Sequence, residues 1–339
     1  MNLQNKMYGK DYIPEEVLEI IFKERWLQIW VPKDYSGLGL SFSEGLEVLK
    51  NLAFCDGSLG WIVTLCSGAN YFSRNLKPKV AKALFENEKT CFGGSGMIGG
   101  TAEKIGNRYR IQGTWRFATG APYLSHFTLN ATLTENGNPI TDDEGNPVIR
   151  SFILSKDQVK IIRDWKSMGM KATGTFSFEV KEAWVDEDYS FVYNEFFTNS
   201  VLDRIPFRIF ADLTLLVNYI GIAQHFIDLA QDIRPHLSLE KLKKYIDKNE
   251  AQADYFANQL EQLLEQGEEN FSELQAEIHE FGETFVSDLS HQILDVYFQL
   301  GIRASNTHEP IHQVFCDYFT ATQHANFRKK DIEMTRCAF

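Results

Sequence analysis

The stretch GNRYRIQGTWRFATGAPYLSHFTLNATL, residues 106–133, decides how this chain is read. Its residues alternate in polarity: Phe127, Leu129, Ala131 and Leu133 take one face, and His126, Thr128, Asn130 and Thr132 take the other. A period of two marks a half-buried strand. Asn136-Gly137 follows as a turn signal, and SFIL (151–154), VKII (159–162) and FSFEVKEAWV (176–185) add further strands. Several short strands at this spacing predict a small β barrel or sandwich over about 90–192.

On both sides the period returns to that of a helix. Upstream, Pro14 with Glu15 and Glu16 suits a helix start, and Val17, Leu18, Ile21 and Phe22 recur at helical spacing. Ser41 and Glu44 form a capping-box pattern ahead of Leu46, Leu49 and Ala53. A further helix is expected from Ser58 to about Leu76, and a short one after Pro78. Downstream, four long helical segments are expected near 205–233, 238–266, 270–303 and 309–335, separated by Pro235, Gly267 and SNTHEP. Short links between long helices predict an antiparallel bundle. The apolar faces at 205–230 and 281–302 are candidates for subunit packing. The order is helices, β domain, helices, with no βαβ alternation.

Composition narrows the function. At 339 residues and 44% hydrophobic the chain can bury a large core, and 13% aromatic residues argue against disorder. The net charge of −12, concentrated between residues 240 and 290, argues against a nucleic-acid partner. No run of about 18 apolar residues is apparent, so no membrane span is expected. MNLQNKMYGKDY has no apolar segment of the signal-peptide kind. Cys55, Cys66, Cys91, Cys316 and Cys337 form no C-x-x-C pair, and the histidines show no metal spacing. The expectation is a cytoplasmic protein with reduced thiols and no metal site.

Three segments carry candidate chemistry. Gly94 to Gly99 matches G-x-G-x-x-G, but a strand pattern follows and no acid lies about 20 residues on, so no nicotinamide nucleotide is expected. A flexible glycine-rich loop is expected instead, with Ser95 in it, where backbone approaches a ligand. Trp115, Phe117 and Thr119 share one face of a strand, packing a barrel or lying against a flat cofactor. Trp165 to Thr175, WKSMGMKATGT, gathers small and hydroxyl residues, including Thr173, Gly174 and Thr175, in a turn or cleft lining. On the last helix Ile311, Val314, Phe315, Tyr318, Thr322 and Ala325 form the apolar surface, and Asp317, Thr320 and His324 share a polar stripe. Such a histidine is either structural or an acid, base or hydrogen-bond donor facing a cavity.

Taken in order, these pieces resemble the acyl-CoA dehydrogenase superfamily. WVPKDYSGLGLSFSEGLEVLKNLAFCDGSLGW (30–61) is similar to its P-x-x-Y-G-G-L-G-L segment, helix and D-x-S-x-G-W step. Residues 106–121 are similar to its G-Y-x-L-x-G-x-W-x-F-x-S-G segment, and 164–185 to its W-x-x-x-G-M-R-x-T-G-S segment with the strand after it. The resemblance implies a mainly helical α+β fold: an N-terminal helical domain (1–89), a central β-barrel domain (90–192) and a C-terminal four-helix bundle (193–339). It also implies a homotetramer and a flavin, FAD or FMN, between barrel and bundle.

No Y-E-G segment with a glutamate base occurs, and C-D-Y-F-T-A-T-Q-H resembles the R-D-x-x-T-x-x-Q-H ending of the flavin-dependent monooxygenase branch. That resemblance implies reduced flavin from a separate reductase and a small apolar or aromatic substrate. It implies His324 and Thr119 at the reacting edge of the flavin, with Ser95, Trp115, Phe117, Thr173, Gly174 and Thr175 around the cofactor. Gln313 and Cys316 stand where that branch has paired arginines. A dehydrogenase with Glu309 as displaced base, and a non-catalytic member with weakened flavin binding, are the alternatives.

Overall fold

The structure is a computed structural model that describes residues 3–193 and 195–328. Five helices open the chain: α1 (Leu3–Met7), α2 (Glu15–Lys23), α3 (Phe42–Cys55), α4 (Gly57–Asn70) and α5 (Pro78–Phe85). The expected capping box starts α3, Ser41 accepting from the Glu44 backbone and Glu44 returning the bond. Asp56 both ends α3 and caps α4, accepting from the Leu59 amide at 2.9 Å.

Eight strands follow in one sheet: β1 (Phe92–Ile105), β2 (Arg108–Ala118), β3 (His126–Glu135), β4 (Asn138–Pro139), β5 (Ile149–Ser155), β6 (Lys160–Ile162), β7 (Phe176–Asp186) and β8 (Ser190–Phe191). Their spatial order is β6-β7-β2-β1-β3-β5-β8, with β4 paired to β3. β1 is antiparallel to β2 and parallel to β3. Asn136 and Gly137 make the expected turn, both at positive φ (52° and 79°). Among the described residues this pairing is an open path, with β6 and β8 at its ends.

The remaining helices are α6 (Phe207–Ile233), α7 (Glu240–Glu265), α8 (Ser272–Leu300) and α9 (Pro310–Ala321). α6 is the hub. It packs against α7, α8 and α9 and also against α3 and α4. Gly221 permits the closest approach: a Cβ there would stand 2.3 Å from the Lys50 carbonyl oxygen of α3. α6 is apolar and long enough to cross a membrane by composition, yet 78% of its most apolar window is buried inside the protein. The face at 205–230 is therefore spent on internal packing and is not free for a partner subunit. Large exposed apolar side chains remain on the other candidate segment, Phe298 at 78% and Ile302 at 90% exposure.

Two further expectations change. The last helix stops at Ala321, not 335, so Thr322, His324 and Ala325 lie beyond it; the rest of that stretch, with Cys337, is outside the described residues. The stop has a partner in the core, where the Tyr219 hydroxyl donates to the Ala321 carbonyl at 2.9 Å. The Gly94–Gly99 stretch is not a flexible loop. It lies inside β1, with irregular pairing to β3 between Ser95 and Ile98. Gly94 and Gly99 serve close packing: a Cβ at Gly94 would lie 1.8 Å from the Thr128 carbonyl oxygen, and one at Gly99 2.6 Å from Trp115.

Gly100→Ala tests this packing, because its Cβ would meet the Gln112 carbonyl oxygen at 2.1 Å and Trp115 at 2.9 Å. We expect a loss of about 1–3 kcal/mol in urea unfolding followed by circular dichroism. An unchanged midpoint would contradict the packing.

Candidate functional site

The end of β2 sets the first part of the site. Strict alternation puts Trp115, Phe117 and Thr119 on one face, but pairing with β7 shifts register between Trp115 and Ala118, and Phe117 sits at φ +65°. The bulge separates the three. Trp115 turns into the sheet's core, fully buried, stacked on Phe178 at 5.4 Å and donating its indole N–H to the Asn130 carbonyl at 2.8 Å. Its side chain thus has its packing and hydrogen-bond partners inside the sheet. Phe117 turns outward and is 57% exposed.

Thr119 joins a buried chain of hydroxyls. Its Oγ1 lies 3.2 Å from Thr175 Oγ1, which lies 2.7 Å from Thr173 Oγ1, and Thr173 donates to the Met170 carbonyl at 2.7 Å. The Gly120 amide donates to the Thr173 carbonyl at 2.9 Å, tying strand end to loop. Gly174, at φ +51°, packs on Pro122. The structure therefore brings Thr119, Thr173, Gly174 and Thr175 together. Ser95 sits in the irregular part of β1, its hydroxyl accepting from the Met97 amide at 3.3 Å. Asn130 pins that irregularity by donating to the Gly96 carbonyl at 2.8 Å, and leaves Met97 and Ile98 about half exposed.

α9 closes against the same loop. Thr320 accepts from the Gly169 amide at 3.0 Å and Asp317 accepts from the Met170 amide. A Cβ at Gly169 would lie 2.2 Å from the Cys316 backbone, so this approach requires glycine. Asp317 Oδ2 is buried without a hydrogen-bond partner, beside Gly57 at the start of α4. Gln313 donates to Asp56 Oδ2 at 3.0 Å and accepts from the Gly9 amide at 2.8 Å. Burial raises both carboxyls, Asp56 to about 6 and Asp317, with Asp56 beside it, to about 8. Asp56 and Gln313 had no catalytic signature in the sequence beyond the D-x-S step and the missing arginine.

His324 lies just after α9, edge-on to Trp61 of α4 with ring centroids 5.6 Å apart. It is open to solvent, yet the protein around it pushes the imidazole pKa down. The Asn326 amide donates to its Nδ1 at 3.4 Å. α4 is the element common to both groups, since Cys66 one turn and a half further on approaches the Thr119 carbonyl at 3.8 Å. Glu309 forms two bonds with Arg303, at 2.8 and 3.2 Å, which hold its carboxyl below the usual range and make it a poor proton acceptor. Two cavities lie elsewhere: about 190 Å³ around Lys50 and Glu250, and about 540 Å³ around Lys33 and Phe197. No metal-binding cluster occurs among the described residues.

α9 is thus joined to the loop whose hydroxyls meet the end of β2, with His324 just beyond the helix. No family model matches the chain. Indole-3-acetate monooxygenase of Acinetobacter baumannii is 24% identical over 186 residues, 54% of this chain and 46% of that protein. XiaF from a Streptomyces species, solved with FADH2 and glycerol, superposes with a TM-score of 0.86 at 18% identity, covering 96% of this chain and 88% of that one. Its relatives and structural neighbours are flavin-dependent monooxygenases.

Some of these are named as oxygenase subunits or components, and the mainly helical α+β architecture is consistent with an acyl-CoA dehydrogenase-like fold. TdsC from Paenibacillus, solved with FMN and indole, superposes at a TM-score of 0.78 with 18% identity over 96% of this chain and 91% of that one. Further relatives are oxygenase subunits or components of flavin-dependent hydroxylases. The chain spans about half the length of the curated relatives it matches.

The Asp56–Asp317 pair gives a pH test. Both carboxyls are raised on folding, so their neutral forms favour the folded state below about pH 4, and that stabilisation is lost as pH rises towards about 8. Asp317→Asn keeps an acceptor for the Met170 amide and removes the titrating proton. It should flatten the fall in urea midpoint between pH 5 and pH 8; a slope equal to that of the wild type would refute the assignment.

Proposed function

We propose that this chain is the oxygenase of a two-component flavin-dependent monooxygenase acting on a small apolar or aromatic substrate. The observation that carries the reading is the pairing of an outward Phe117 with the Thr119–Thr175–Thr173 hydroxyls, and His324 held at the other end of α4. Bound FADH2 in XiaF and bound FMN with indole in TdsC support the cofactor and an aromatic substrate. Relatives that are oxygenase subunits support a separate reductase as partner. A homotetramer is part of the same reading, with Phe298 and Ile302 offered to a partner subunit.

The residues fit the ring end of a flavin. Phe117 offers a flat apolar surface, Thr119 and Thr175 offer hydroxyls, and the Ser95–Ile98 irregularity supplies the neighbouring wall. The phosphate end must be held differently from the arginine pattern of the family. Gln313 is committed at both ends of its amide, and Cys316 Sγ lies 3.6 Å from His312. Exposed cations near these segments include Arg116 of β2, which acts on Asp164, and Lys171 of the loop, which acts on Asp317. FAD and FMN both remain within this reading.

A reduced flavin supplies two electrons to dioxygen, so that one oxygen atom enters the substrate and the other leaves as water. This chain supplies the surroundings. His324 is kept neutral by the protein around it, and Nδ1 accepts from Asn326, which leaves Nε2–H as donor. Thr119 presents a hydroxyl oriented by Thr175. Neither is a base strong enough to remove a proton next to a thioester carbonyl, and Glu309 is tied up by Arg303, so the dehydrogenase reading loses its base.

The test uses protein loaded with chemically reduced FMN or FAD, mixed with oxygen and indole as probe. We expect tight binding of one reduced flavin and oxygenated product. His324→Ala should unfold at nearly the wild-type temperature but release roughly tenfold more hydrogen peroxide per product, as for loss of one hydrogen bond. Unchanged coupling, or no binding of either reduced flavin, would remove the proposal.

A further inference from the structure

We propose that Asp212 and Asn326, with Phe327 seated against Gly282, form a clamp that fixes the tautomer and place of His324. Resting on the reading of His324 above, this makes Asp212 and Asn326 positioning residues. His324 lies in a short non-helical segment after α9, where a side chain would otherwise be free to turn. Two separate holds act on the residues that follow it. Asn326 donates from Nδ2 to Asp212 Oδ1 at 2.7 Å, and Asp212 is fully buried on α6. Phe327 fills a notch on α8 that exists because residue 282 has no side chain: a Cβ at Gly282 would lie 2.2 Å from the Phe327 ring.

The Asp212 carboxylate is itself held from both sides. Arg208 Nε stands 3.3 Å from Oδ1, and His279 Nδ1 stands 3.2 Å from Oδ2. His279 reaches on to Glu283 at 3.6 Å and stacks on Phe327 at 5.8 Å. Arg208 also donates to the Asn326 carbonyl at 3.4 Å. Side chain and carbonyl of Asn326 are thus both anchored, which holds in place the residue that carries the backbone N–H beside His324. That N–H is the one that donates to His324 Nδ1. An imidazole whose Nδ1 must accept carries its proton on Nε2, so a contact on α6 decides which nitrogen of His324 is a donor. The same segment is pressed on its other side by Trp61. A buried carboxylate held to a backbone-anchoring asparagine is a costly arrangement for mere loop attachment, since a hydrophobic contact would hold the loop without desolvating a charge.

The test reads the tautomer without any flavin. In full-length protein with nitrogen-15 histidine, the His324 signals are assigned by their loss in His324→Gln. The wild type should show one tautomer, protonated at Nε2. Asn326→Ala should give a mixture of tautomers, and Asn326→Gln, which keeps an amide donor for Asp212, should return towards the single form. A wild-type mixture, or an Asn326→Ala spectrum equal to the wild type, would overturn the clamp; so would a mixture in Asn326→Gln as large as that in Asn326→Ala if both variants unfold at the wild-type temperature. Peroxide release, measured on the same variants with reduced flavin, should rise about tenfold in Asn326→Ala and less in Asn326→Gln. A tautomer that shifts as expected with unchanged peroxide release supports the clamp and counts against the monooxygenase reading.

Discussion

The hydrogen bond from the Met170 amide to Asp317 is the contact on which the arrangement depends. It joins α9 to the loop at 164–175, and that loop carries Thr173 and Thr175. An ionised carboxylate at this depth, with one oxygen unpartnered, is strongly disfavoured, and the protein resolves the conflict by raising its affinity for a proton. Both sides of the contact are stripped of side chains: Gly169 faces the α9 backbone and Gly57 faces Asp317. The hydroxyl chain at the strand end is therefore placed by a helix about 150 residues away in sequence, through two glycines and one carboxyl.

The consequence of having Gln313 and Cys316 rather than arginines is visible at the same place. A guanidinium beside Asp317 would neutralise it and lower its pKa. Gln313 instead spends its amide on Asp56 and on the Gly9 backbone, stitching α9 to the start of α4 and to the turn after α1. What the site loses in cation it gains in attachment of the N-terminal segment.

The sequence was legible where periodicity is uninterrupted. The alternation of Phe127, Leu129, Ala131 and Leu133 is β3, and the apolar repeats of 205–233 and 238–266 are α6 and α7. It was misleading where one residue breaks the period. Phe117 at positive φ turns Trp115 and Phe117 to different surroundings, and nothing about a phenylalanine announces a left-handed backbone. The end of α9 was equally hidden, because Thr322-Gln323-His324 contains neither glycine nor proline; the stop is imposed by Tyr219 of α6 reaching the Ala321 carbonyl and by Asn326 and Phe327 finding partners on α6 and α8. Of the candidate site, the hydroxyls and the histidine could be named from motifs. The Asp56–Gln313–Asp317 group could not, because it is assembled from two distant segments.

The intimate contact of α6 with α3, closed at Gly221 over the Lys50 carbonyl, bears on how the chain is made. These helices are separated by the whole sheet, so during synthesis α3 must wait for more than 150 residues to emerge before its buried face finds cover. Until then the part of α3 that Gly221 covers has no partner, although α4 already packs on Ala53 through Gly60. The early helices are a surface that only the late ones complete.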